Sequence, residues 1–66
     1  QSNWRHMLKK YEVKMNWNKA LATKLGLKYP GRAQATQIVE ARTGDEATNK
    51  AQAMNPGYKK YLVRPI

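Results

Sequence analysis

Nine consecutive residues, Lys9–Trp17 (KKYEVKMNW), constrain this chain most. Tyr11, Val13, Met15 and Trp17 fall on one side of an extended chain, and Lys10, Glu12, Lys14 and Asn16 on the other. A period of two over this length specifies a β-strand with one face buried and one in water. Such a strand needs partners for its backbone amides and a layer over its apolar face. The rest of the chain has to supply both.

After Trp17 the period changes. Trp17, Leu21 and Leu25 recur every four residues, Ala20, Ala22 and Lys24 favour helix, and Asn16 or Asn18 can cap its start. Gly26 suits the position just past its end. A short helix over 18–25 is expected; the alternative is an ordered loop, since two turns are marginal alone. In KYPGR, Pro30 and Gly31 suit the two central positions of a type II turn. AQATQIVEART then reads as a second strand, with Ala35, Gln37, Val39 and Ala41 on one face and Thr36, Ile38 and Glu40 on the other.

Thr43 followed three residues later by Glu46 is a capping box, and Asp45 and Glu46 occupy the first turn, where carboxylates favour the helix dipole. Ala47, Ala51 and Met54 form the expected buried stripe, with Lys50 and Gln52 outside it. Asn55-Pro56-Gly57 stops this helix, because proline disfavours helical geometry in the residue before it. YKKYLVRPI reads as a third strand carrying Tyr58, Tyr61 and Val63. Pro65 has no amide donor, so this strand ends there or runs along an edge.

The implied fold is α+β: a small three-stranded sheet with one or two helices on one face, in β-α-β-α-β or β-β-α-β order. If the second and third strands are neighbours, the intervening helix makes them parallel with a right-handed crossover. If 17–28 is a loop, the first two strands pair antiparallel. Gln1–His6 reads as the remnant of a cloning tag, with 7–66 as one small domain. A domain of this size is marginal on its own. Cysteine is absent and His6 is the only histidine, which excludes disulfides and thiolate metal sites. A tight core or a homodimer is left to supply the stability.

Enzyme chemistry finds little support. The carboxylates are Glu12, Glu40, Asp45 and Glu46. The last two serve the helix start, and Glu12 and Glu40 could make a catalytic pair only if their strands are neighbours. The glycines are scattered instead of forming a phosphate loop. No catalytic residue, metal or cofactor is expected. The basic balance is the stronger signal: thirteen Lys and Arg against four acidic residues give a net charge of +9. Setting aside Arg5 in the tag remnant, the cations occur in every element. Such a field attracts polyanions, and phosphate neutralisation needs little more. YKKY at 58–61 and LKYPGR at 27–32 interleave aromatic rings with cations, as stacking on exposed bases requires. The competing reading is that lysine keeps a small protein soluble and the tyrosines edge its core.

Two resemblances bear on this. ALATKLGL resembles the opening of helix-turn-helix proteins through Ala22 and Gly26 with Leu21, Leu25 and Leu27. Pro30-Gly31-Arg32 follows in place of a recognition helix, which leaves nothing to enter a major groove in that manner. VEARTGDEATNKAQAMNPGYKKYLV resembles a strand, capped helix, Asn-Pro-Gly, strand unit in short phage-type proteins without assigned activity. Thr43, Glu46, Ala47, Ala51 and the 55–57 triplet carry that resemblance. It implies a small α+β module, and a similar arrangement in one ribosomal-protein family makes RNA a thinkable ligand.

The leading expectation is therefore low-specificity binding of DNA or RNA, with phosphate contacts from Lys28, Arg32, Lys59, Lys60 and Arg64 and stacking by Tyr58 or Tyr61. The alternative is a phage-type regulatory protein that binds an acidic host protein, with Met15, Trp17 and Met54 as contacts. No apolar run reaches the ~18 residues of a membrane span, and no segment has the order of a secretory signal. A cytoplasmic setting is expected, in the host if the chain is phage-encoded.

Overall fold

The computed structural model describes residues 8–66; the tag-remnant reading of Gln1–His6 lies outside them. Five elements follow in order: β1 (Lys9–Trp17), α1 (Lys19–Leu25), β2 (Gln34–Ala41), α2 (Gly44–Met54) and β3 (Tyr58–Pro65). The strands form one three-stranded sheet in the order β2-β1-β3, and β1 is antiparallel to both neighbours. The α+β class and the β-α-β-α-β order agree with the sequence reading.

Strand adjacency departs from one expectation. β2 and β3 are not neighbours; the alternating strand β1 lies between them. The α2 crossover thus spans the central strand. β1 and β2 pair antiparallel even though 19–25 is helical, because α1 and the turn after it reverse the chain as a loop would.

Residues directly opposite in an antiparallel pair project to the same face. Tyr11, Val13 and Met15 face α2, flanked by Val39 and Ala35 of β2 and by Val63 of β3. Val13 and Met15 are fully buried, and each such burial contributes about 1.5–3 kcal/mol. Ala47 and Ala51 of α2 have no exposed surface, so the helix backbone lies close on the sheet. Met54 belongs to the same helical stripe by spacing but is 53% exposed. The expectation that it is buried is corrected: Met54 is the last helical residue and overhangs the loop carrying Lys28 and Pro30 instead of the sheet.

Tyr58 and Val63 both point toward the core, yet they are five positions apart, an odd spacing that strict alternation forbids. A β-bulge resolves this: Met15 pairs with Lys60 and Lys14 with Leu62, leaving Tyr61 as the extra residue.

Local chemistry sets the helix ends. The Asn18 side chain accepts from the Leu21 amide, 2.8 Å. At the other end of α1, Gly26 is left-handed at φ 71°, and the Leu27 amide reaches the Ala22 carbonyl at 2.8 Å. These are the bonds of a Schellman motif. The Thr43 hydroxyl accepts from the Glu46 amide, 3.1 Å, while the Glu46 carboxylate accepts from the Arg42 amide, one residue earlier than in a standard capping box. After α2, the Tyr58 amide donates to the Asn55 carbonyl, and Gly57 has φ 88°, as the second central residue of a type II turn requires. Gly57 also meets the Trp17 ring: an added Cβ would clash with Trp17 Cζ3. Among the described residues, no helix is long and apolar enough to cross a membrane.

Two measurements test these packing features. Gly57→Ala and Gly26→Ala both force alanine to positive φ, a strain of about 1–2 kcal/mol. Only Gly57 has a neighbour in the way, since nothing lies within 4 Å of an added Cβ at Gly26. Chemical denaturation should show Gly57→Ala as the more destabilising by at least ~1 kcal/mol; equal losses would contradict the Trp17 contact. The second concerns Glu46, whose carboxyl is held below its usual value by the Arg42 amide, with burial opposing and Lys50 and Arg42 assisting. A carboxyl lowered by folding stabilises above its unfolded value and loses that effect as pH falls through its folded value. Glu46→Gln should therefore melt lower than the parent at neutral pH, and the gap should narrow as pH falls below 4.5, the ordinary value of this carboxyl.

Candidate nucleic-acid interface

Chain direction sorts the charges. β1 ends at Trp17, β2 and β3 start beside that end, and α2 finishes there. Glu40, Asp45 and Glu46 occupy the far ends of their elements, and Glu12 stands ~16 Å back along β1 from Trp17. All four carboxylates are therefore drawn away from the Trp17 end. The ion pairs lie away from it too: Arg42 and Lys50 each 3.6 Å from Glu46, and Arg64 2.7 Å from Glu12. Lys19, Lys28, Arg32, Lys59 and Lys60 lie near Trp17 and pair with no carboxylate among the described residues.

Aromatic rings fill the same end. Trp17 meets Tyr58 edge-on at 5.2 Å between ring centres and Tyr29 at 5.8 Å. Tyr29 is 56% exposed. Three depressions are lined by Trp17, and two of them matter here. One, about 330 Å³, is lined by Trp17, Lys19, Ala22, Thr23, Leu27 and Tyr29. The other, about 220 Å³, brings Lys28, Arg32, Met54 and Pro56 against Trp17. The Tyr58 hydroxyl donates to the Arg32 carbonyl at 2.7 Å, which fixes the loop carrying the two cations to β3.

The sequence-expected phosphate and stacking residues divide accordingly. Lys28 and Arg32 converge on Trp17. Lys59 pairs with Asn16, so its side chain lies on the sheet face that α2 does not cover. Lys60 lies opposite Met15 on the helix side, where its amide donates to Gln52 Oε1 at 3.0 Å. Tyr61, the bulge residue, is 51% exposed and free to stack. Tyr58 is corrected: at 5% exposure, with its ring against Trp17 and its hydroxyl bonded, it has no surface for a base. Arg64 lies toward the opposite end and is bound to Glu12.

Trp17 and Lys19 complete the candidate site without having been among the expected nucleic-acid contacts, while Tyr29 belongs to the LKYPGR stretch expected to stack. The signal in the sequence was positional, since Trp17 is the last apolar residue of β1 and Asn18 caps a helix directly after it. A ring at a strand end sits at the rim of a sheet. Glu12 and Glu40 do share the uncovered face on adjacent strands, but Glu12 is held by Arg64 and Glu40 stands opposite Lys10. No protein-family model, curated protein or solved structure matches the chain.

Tyr58→Phe should lower stability by about 1 kcal/mol, the net worth of one hydrogen bond, measured by denaturant unfolding. An unchanged midpoint would mean that this hydroxyl does not hold the Arg32 loop.

Proposed function

We propose that this protein binds nucleic acid with low sequence specificity through its Trp17 end. The observation that carries the reading is the segregation of carboxylates: five cations lie around exposed aromatic surface at one end, while every carboxylate lies away from it. Phosphates seek unpaired cations, and neutralising them releases condensed counterions. Lys28 and Arg32 flank one depression and Lys19 another, an arrangement suited to successive phosphates of one strand. Tyr29 and Tyr61 offer exposed rings on which unpaired bases stack. An anchoring role for Trp17 follows from its half-buried position between these elements.

Binding of random oligonucleotides should weaken steeply as salt rises. In Lys28→Gln/Arg32→Gln the slope of log affinity against log salt should shrink by about two, near one for each phosphate left without its cation. Arg42→Gln, at the opposite end, should leave the slope unchanged. Absence of binding even at low salt would remove the reading, and equal effects of the two variants would remove the site.

A further inference from the structure

The helix α2 shields only one side of the sheet, and the strand register assigns the residues of the other. From the Trp17 end, the rows of this uncovered face are Gln34, Asn16 and Lys59, then Thr36, Lys14 and Leu62, then Ile38, Glu12 and Arg64, with Glu40 and Lys10 last. Lys14 and Glu12, on the central strand, are half-buried between their neighbours; the rest are exposed.

Resting on the phosphate-binding part of the reading above and narrowing its ligand to duplex DNA, we infer that this face lies in the major groove of B-form DNA and contacts base edges there, adding a sequence preference to binding that phosphate contacts drive. The outer strands stand about 10 Å apart at ~4.8 Å per strand spacing, so β1 and one neighbour fit as a two-stranded ribbon in a groove about 12 Å wide, with the third strand at its edge. The side chains present are of the types that distinguish bases: Asn16 and Gln34 suit adenine, Lys14 and Lys59 suit guanine, and Ile38 and Leu62 suit the thymine methyl.

Charge supports the same occupant. Lys10, Lys14, Lys59 and Arg64 outnumber Glu12 and Glu40, and Arg64 neutralises Glu12 at 2.7 Å. Arg32 lies on the rim, where a shallow depression joins it to Asn16 and Gln34. Phosphate anchors thus continue into base-reading side chains without a carboxylate between them. A protein partner fits less well. Ile38 and Leu62, the exposed apolar residues of the face, sit on opposite outer strands with Lys14 and Glu12 between them. They form no contiguous apolar patch for a protein interface core. Duplex RNA is disfavoured by form, since its major groove is too deep and narrow for side chains to read.

Two measurements on the full chain decide. In the first, affinities are compared at one salt concentration for a DNA duplex and an RNA duplex of the same sequence. DNA should bind at least about tenfold tighter; equal affinity, or preference for RNA or single strands, overturns groove insertion while leaving the low-specificity reading intact. No binding to any nucleic acid overturns both. In the second, a randomised DNA duplex pool is enriched against the parent and against Asn16→Ala. The parent should return a consensus, and the variant should lose about tenfold discrimination at an adenine position. Loss of a consensus in Asn16→Ala counts only with an unchanged circular-dichroism spectrum, and Gln34→Ala serves as the second variant. A pool that stays random with the parent overturns base reading.

Discussion

The contact between Gly57 and the Trp17 ring organises the cationic end. A side chain at Gly57 would occupy the space of the indole. Because glycine has none, the turn leaving α2 passes directly against the end of β1. The Asn18 amide then donates to the Gly57 carbonyl at 2.8 Å, joining the turn to the start of α1. Tyr58, the next residue, packs its ring on Trp17 and ties down the Arg32 loop. One backbone approach therefore brings β1, α1, the α2–β3 turn and the loop before β2 together. The gathered cations are a consequence of that meeting.

Much of the fold was legible because local patterns were unambiguous. The alternation in Lys9–Trp17 announced a half-buried strand, and Thr43, Glu46 and Asn55-Pro56-Gly57 bounded α2. Strand order was not legible, since no local pattern says which strand sits in the middle. In retrospect the cleanest alternation belongs to the strand flanked on both sides, which must place every side chain on one of two distinct faces. The bulge could have been read from the odd spacing of Tyr58 and Val63. Of the candidate site, charge was legible and convergence was not: Lys28 and Arg32 meet Trp17 only through long-range packing. Tyr58 looked available because sequence cannot separate an aromatic beside lysines from one beneath them.

The slim core has its own logic. Alanines at 47 and 51 bring α2 close, so long polar side chains along its flanks reach both rims of the sheet. Lys50 donates to the Glu40 carbonyl of β2 at 2.8 Å, and Gln52 accepts from the Lys60 amide of β3. Exposed rims invite unwanted pairing with other chains. One helix thus covers a face and also occupies polar groups on both outer strands. The Asn55 side chain adds a third tie by donating to Gln37 of β2 at 3.2 Å, which satisfies a polar group on the face that α2 covers.

The first helix, α1, is built differently. Ala22 is its one buried residue, Leu25 is 53% exposed, and its packing on other elements is slight. Capping bonds hold its shape more than tertiary contacts do. Segments with so little buried surface open at a free energy well below that of the whole domain. Amide hydrogens of α1 thus belong to a separate exchange unit from those of β1, although the two are contiguous in sequence. The wall of the indole depression is accordingly held by few buried contacts, and opening it should cost less than unfolding the sheet.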